Sequence, residues 1–445
     1  MKLLMFRHIW VVVFLCLAGC SKLFPPTIPP APTNVVTTPG DTTATLTWDM
    51  APGVTYFAYW APSTTGLTPD SCSSNPLCLA ATNVTSPFVI PNLTDGTPYS
   101  VTINGRINGG PGGPGTTAQP DPVTPRPAGS SGLWTTGNSL GSDLRGLTYG
   151  QIYNNAGAYL GYGFVATGAS GALQYSIDGT NWTSIVNPMS STFYGLANTG
   201  ATFVAVGAGG ALLYSSNFAE TWIQQVTGIA APASTYDLYS IYGYGGGTFV
   251  AVGQKGTIIT SPSGVSSSWT LQVSPTINNL WSVTYGNGVY VAVGDAGTLL
   301  TSPDAATWTQ ITLPSTPNLK GVSYGYVVIG STGVAMPTFV AVGSGGAVYT
   351  SIDNGVTWTL TTLASAQLNA VTFGAFSGAA VVLADGQFVA VDNAANVFTS
   401  PDGLTWTNQN LTPGSPLYAV IHGQLSSGAY AYSAVGAGGL SVWSQ

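Results

Sequence analysis

From about residue 133 onward the chain is built from one apolar pattern used again and again. Thr202-Phe203-Val204-Ala205-Val206-Gly207 returns as Thr248 to Gly253, as Val289 to Gly294 with Tyr290 in place of Phe, as Thr338 to Gly343, and more loosely at Phe164 and Phe388. Runs this short, rich in Val and closed by Gly, predict strands. Each copy has the same companions. Upstream lies a Leu-x-x-Val strand, as in Leu280-Trp281-Ser282-Val283; downstream lies a strand ending in Ser-x-Asp, as in Thr301-Ser302-Pro303-Asp304, and then Thr-Trp-Thr. The unit therefore has four strands, and its tryptophans recur every 39 to 50 residues.

Four-stranded units at this period resemble the blades of a β-propeller, which bury their faces only against one another. First strands begin at Leu144, Phe193, Leu238, Leu280, Leu319, Leu368 and Leu417, which predicts seven blades. Fourth-strand tryptophans number only six: Trp182, Trp222, Trp269, Trp308, Trp358 and Trp406. The seventh is supplied from the other end. Leu133-Trp134-Thr135-Thr136 matches the fourth strand, so the N-terminal strand is expected to complete blade seven and remove the open edge of the ring.

The turn before each of these tryptophans resembles the Asp-box of the sialidase-like propeller families (BNR repeats, akin to WD40 and YVTN propellers). Ser351-Ile352-Asp353-Asn354-Gly355-Val356-Thr357-Trp358 fits that pattern; Ser176 to Trp182, Ser302 to Trp308 and Ser400 to Trp406 are one residue shorter, and Ser215 to Trp222 carries Asn217 for Asp. The resemblance implies a structural turn, its carboxylate accepting turn amides, on the face opposite any active site.

Before residue 133 the pattern differs. Residues 1–19 read as an export signal, with Lys2 and Arg7 before the apolar run Ile9 to Ala18. Leu17-Ala18-Gly19-Cys20 resembles the bacterial lipobox, which implies lipidation at Cys20; Ser21 stands where the inner-membrane retention signal would be Asp, which implies the outer membrane or cell surface. Residues 20–31 are a Pro-rich stalk. Residues 32–125 alternate as short strands, at Thr43 to Trp48, Thr55 to Trp60, Phe88 to Ile90 and Tyr99 to Ile103. Pro32-Thr33-Asn34-Val35, Trp48 and Asn92-Leu93-Thr94-Asp95-Gly96-Thr97-Pro98-Tyr99 make this stretch resemble a fibronectin type III domain. That implies a spacer with Leu93 in its core and the Tyr99 hydroxyl serving backbone groups at a corner. No Arg-Gly-Asp tripeptide is present, and Trp48 and Trp60 read as core. Residues 126–132 link this domain to the propeller of 133–445. The expected architecture is all-β: a fibronectin type III sandwich followed by a seven-bladed propeller.

Composition narrows the function. Only 5% of the 445 residues are charged and the net charge is −7, so no basic face exists to hold nucleic acid. With Cys16 in the export signal and Cys20 lipidated, Cys72 and Cys78 remain to form a disulfide, a loop staple contributing about 2 kcal/mol. No metal or other cofactor is expected, because Cys/His clusters are absent.

Catalytic sets are sparse. A sialidase needs three arginines, and the propeller has only Arg145; Glu220, the one glutamate, lies in an Asp-box-like turn, and His422, on an innermost strand, reads as packed. What rises above background is the position after each initial Leu or Phe: Arg145, Tyr194, Tyr239, Trp281, Lys320, Asn369 and Tyr418. These should ring the channel mouth, with Lys255 and Asp295 on the same face. The position before holds Asp143, Thr192, Asp237, Asn279, Asn318, Gln367 and Pro416. An aromatic, amide-rich rim suits a glycan or protein ligand. The leading expectation is a lipid-anchored envelope module for binding or adhesion. Two alternatives stand beside it: a glycoside hydrolase or lyase using Asp143 and Asp237, and an assembly factor, since the repeats also resemble the photosystem II stability and assembly factor family. That family's Arg-rich patch has no counterpart here.

Overall fold

The computed structural model describes residues 28–444 apart from 41–42, 63–65, 95–96, 120–121, 124, 126–133, 138–140, 155, 245–247, 329–334, 364–365, 375–385, 410, 412–413 and 426–429. Cys20, its lipobox and the export signal lie outside the described residues. The chain divides into two compact units, 1–126 and 127–445.

The first unit is an antiparallel β-sandwich. One sheet joins Val36–Gly40, Thr43–Thr47 and Phe88–Ile90; the other joins, in order, Leu79–Val84, Val54–Pro62, Tyr99–Ile107 and Thr116–Thr117. Alternation along the strands sends Leu46, Tyr56, Ala58, Trp60, Ile90 and Ile103 inward, and the Trp48 ring packs tilted against Tyr56 at 5.4 Å. Leu93 is buried, and the Tyr99 hydroxyl accepts the Thr94 N–H at 3.1 Å, the corner expected from the sequence. The Cys72–Cys78 disulfide forms, with Cα atoms 5.4 Å apart. Its loop carries a helix that apolar periodicity does not foretell, Pro69–Ser73, started by Thr68, whose hydroxyl accepts the Ser71 N–H at 3.1 Å.

The second unit is a propeller of seven four-stranded antiparallel sheets. The first strands are Leu144–Tyr153, Phe193–Thr199, Leu238–Tyr244, Leu280–Gly286, Leu319–Val328, Leu368–Gly374 and Leu417–Gln424. They touch in sequence, and the seventh packs against the first. Blade 7 is completed by Thr135–Thr136, with Thr135 opposite Trp443 and Thr136 opposite Val442, while Trp134 is buried near Tyr432. The ring is thus closed by the N-terminal strand.

The repeated Phe-Val-Ala-Val-Gly run is the second strand of each blade. It lies between neighbours on both sides and both faces, which is why it is apolar throughout: Phe249, Val250, Ala251 and Val252 are fully buried. Its terminal Gly meets the chain entering the first strand. A Cβ would fall 2.0 Å from the Asp237 carbonyl at Gly253 and 2.1 Å from that of Asn318 at Gly343. Those carbonyls accept the next N–H, Gln254 to Asp237 at 2.8 Å and Ser344 to Asn318 at 2.9 Å. Blade 6 departs from the pattern with a buried Asp392 that accepts the N–H groups of Ala394 and Asn396, each at 2.8 Å.

Candidate functional site

Up-and-down topology sorts the loops to two ends. First strands begin, and second strands turn into third strands, at one end, the rim; the Ser-x-Asp turns occupy the other.

At the turn end the chemistry repeats, and the carboxylates are satisfied by their own turns. The Asp304 carboxylate accepts the N–H groups of Ala306 at 2.9 Å and Thr307 at 2.7 Å, and these bonds hold its pKa down at about 2. In Asp353 burial works to raise the pKa, but the hydroxyl and N–H of Thr357 outweigh it and the net shift is downward. Asp178 behaves likewise through Asn181 and Thr180. Asn217 accepts the Thr221 N–H at 3.1 Å and donates to Glu220 at 3.2 Å, so Glu220 belongs to this structural end. The indole N–H groups of Trp222, Trp308, Trp358 and Trp406 close back onto carbonyls of their own turns.

His422 also serves packing. It stacks on Tyr430 at 5.5 Å and covers Gly374 of blade 6, where a Cβ would lie 2.3 Å from the imidazole. Tyr324, Phe373 and Tyr149 cover Gly286, Gly325 and Gly423 in the same way. Burial depresses the His422 pKa to about 4, so the imidazole is neutral at pH 7.

At the rim, all seven residues singled out by the repeat share one backbone feature. In every blade the first strand's register skips one residue just after its initial Leu or Phe, as where Leu280 pairs with Gly294 and Ser282 with Val293. The skipped residues are Arg145, Tyr194, Tyr239, Trp281, Lys320, Asn369 and Tyr418. A bulge frees its extra residue from the ladder and re-aims its side chain. All seven are half-buried.

These side chains form a collar. Arg145 lies over Tyr418 at 4.7 Å and over Tyr194 at 6.0 Å. Tyr194 meets Tyr239 edge-on at 5.6 Å, Tyr239 stacks on Trp281 at 4.2 Å, and the Lys320 ammonium sits 3.3 Å from the centre of the Trp281 ring. Asn369 donates to the Leu417 carbonyl at 2.7 Å and to Asn393. Two groups at such distances cannot share one face of the indole, so Tyr239 and Lys320 cover both. Both faces of Trp281 are therefore spent on neighbours, and its edge, the tyrosines and the cationic tips are what the collar presents.

Asp295 anchors one side of it, accepting from the Trp281 indole at 2.7 Å and from Asn279 at 3.0 Å and pairing with Lys320 at 3.7 Å. Burial lowers the Lys320 pKa against the opposing pull of Asp295. Asp143 pairs with Arg145 at 3.1 Å.

In four blades the position before the first strand has a second task that the sequence reading missed. Asp143 accepts the N–H of Gly438, Asp237 that of Gly209, Asn279 that of Lys255 and Asn318 that of Ala296, at 2.8 to 3.0 Å. Each donor is the left-handed residue of the preceding blade's rim turn, with φ between 52° and 63°. Asp and Asn work equally here because both offer an acceptor oxygen. The signal was present as an Asp/Asn preference at this position in blades 1, 3, 4 and 5. Asp143 and Asp237, the candidate acid pair, are thus interblade links. Lys255 and Asp295 lie in rim turns, as expected. Two open clefts of about 560 and 440 Å³ flank the rim turns of blades 1 and 2 and share Met189. No group of three or more metal-ligating side chains occurs among the described residues.

No family model and no curated protein matches this chain. Among solved structures it is similar to YCF48 from Cyanidioschyzon merolae, with 16% identity and a TM-score of 0.50, covering 70% of this chain and 98% of that one. It is also similar to YCF48 bound to D1 peptide, with 14% identity and a TM-score of 0.51, covering 72% of this chain and 96% of that one. At these identities the likeness concerns the fold, and the fold it shows is the β-propeller.

Proposed function

We propose that this chain is a bacterial envelope lipoprotein, anchored through Cys20 at the outer membrane or cell surface, whose propeller rim binds a segment of a protein partner. The observation that carries the reading is the collar itself. Seven blades use the same bulge to aim side chains of five different types at one mouth, and every lysine and arginine of the propeller lies at that end. A purely structural ring has no need of such variety. Because the largest ring, Trp281, is covered on both faces, the collar lacks a broad flat indole for a sugar and offers smaller rings and hydrogen-bonding tips, which suit a polypeptide better. The structurally similar YCF48 bound to D1 peptide is a propeller in complex with a peptide, which makes this use of the fold a natural one. The sandwich, by its fibronectin-like sequence, serves as a spacer.

Selection of a displayed decapeptide library on the full chain tests the rim. Enriched peptides should bind wild type and lose at least tenfold in affinity to Trp281→Ala and Tyr239→Ala. Binding that survives both changes removes the rim from the site, and capture of glycans on an array, lost in the same variants, replaces the protein partner with a carbohydrate. For the anchor, metabolic labelling with a fatty-acid analogue should mark wild type and not Cys20→Ala.

A further inference from the structure

The rim repeats a three-part station of carboxylate, aromatic ring and cation. In one, Asp143 holds Arg145, which lies against Tyr418 and Tyr194. In another, Asp295 holds Lys320, which lies on Trp281. The third carboxylate, Asp237, stands two residues before the bulged Tyr239, as Asp143 does before the bulged Arg145, and Tyr239 meets Tyr194 at 5.6 Å; Asp237 makes no ion pair among the described residues, and one of its oxygens accepts the Gly209 N–H. Lys255, the remaining cation at this end, directs its ammonium over the Tyr236 ring at 5.0 Å. Both phenols near Asp237 have raised pKa values, from burial first and then from the Asp237 charge, with Arg145 opposing at Tyr194 and Asp295 adding at Tyr239. The field of Asp237 therefore reaches both rings.

We infer that this vacant station, formed by Asp237, Tyr194 and Tyr239 in blades 2 and 3, receives a lysine or arginine side chain of the partner. The inference rests on the rim reading above and names the chemistry the rim selects. A cation placed there gains a carboxylate and aromatic edges and faces together, the same combination that the protein assembles twice from its own residues.

Asp237→Asn gives a clean test, because Asn279 and Asn318 show that an amide oxygen keeps the interblade bond at this position. The variant should unfold at the wild-type temperature. Rim-binding peptides from the library should carry Lys or Arg, and should weaken about tenfold either on Asp237→Asn or when that residue is replaced by acetyl-lysine or citrulline. The two changes together should cost no more than one. Raising salt from 50 to 500 mM should weaken wild-type binding and leave Asp237→Asn nearly unchanged. Affinities within twofold across these comparisons, with Trp281→Ala still defective, overturn the cation assignment and leave the rim reading standing. An empty selection, or binding indifferent to Trp281→Ala, overturns both. A tenfold gain on Lys255→Met would show that Lys255 already fills the station, and that too overturns the assignment.

Discussion

The two ends of the propeller are made by the same strands and use their side chains in opposite ways. At the turn end the residues largely repeat: in five blades Ser with Asp or Asn closes the turn, Trp covers it, and in blades 4 to 7 a Gly takes an aromatic ring or His422 from the next blade. At the rim the backbone repeats, a bulge in every blade, but the bulged residue runs through Arg, Tyr, Tyr, Trp, Lys, Asn and Tyr. Packing asks each blade for the same solution, because each meets an equivalent neighbour. Recognition asks for an asymmetric surface, so variety on a constant backbone marks the end that meets a partner.

The sharpest way to break this contrast is to truncate the same residue type at both ends. Trp308→Ala, at the turn end, should lower unfolding free energy by about 3–5 kcal/mol, since a buried indole leaves a cavity between blades. Ser351→Ala comes next. It removes the hydroxyl that accepts the Gly355 N–H at 2.9 Å and donates to Asp353 at 2.8 Å in a buried site, a loss of about 1–3 kcal/mol. Trp281→Ala, at the rim, should cost about 1 kcal/mol of stacking while abolishing peptide binding. Urea titrations of the three variants decide the matter; if Trp281→Ala unfolds as easily as Trp308→Ala, the collar is a plug.

Acid should act on the turn end. The Asp304 pKa is lowered to about 2 in the folded chain, so its contribution is present above the ordinary carboxylate value and is lost as pH falls from about 4 through 2. Melting temperature should hold from pH 7 to about 5 and then decline, and Asp304→Asn should flatten that acid limb. The smallest effect belongs to Asp143→Asn. It keeps the acceptor for Gly438 and gives up only a pair about one-third exposed on each side, so the change in stability should stay within about 0.5 kcal/mol.

Much of the fold was legible because a blade cannot be varied freely. The second strand is buried on both faces and must read as an apolar run, so Phe203, Phe249, Phe339 and Phe388 announce it. Trp134 was legible as the missing fourth strand for the same reason: six tryptophans among seven first strands leave one vacancy. The helix at Pro69–Ser73 escaped because one turn of helix has no apolar period, and its start depends on a local cap.

The candidate site was legible only in part. Position after position, the repeat identified which residues share the rim, since they occupy equivalent places in equivalent blades. It did not reveal that they are bulged, which depends on pairing with the blade's own second strand, nor that Asp143 and Asp237 tie blades together, which depends on the rim turn of a neighbouring blade.

The sequence by itself determined the all-β class, the number of blades, how the ring closes and which residues gather at each end. Those follow from local periodicity, which is written along the chain. Only the tertiary structure decided what the gathered residues do to one another: that Trp281 is covered on both faces, that Lys320 and Arg145 already have counter-ions, and that Asp237 has none among the described residues. The contacts on Trp281 join residues some forty positions apart in different blades, and their distances are set by the curvature of the closed ring.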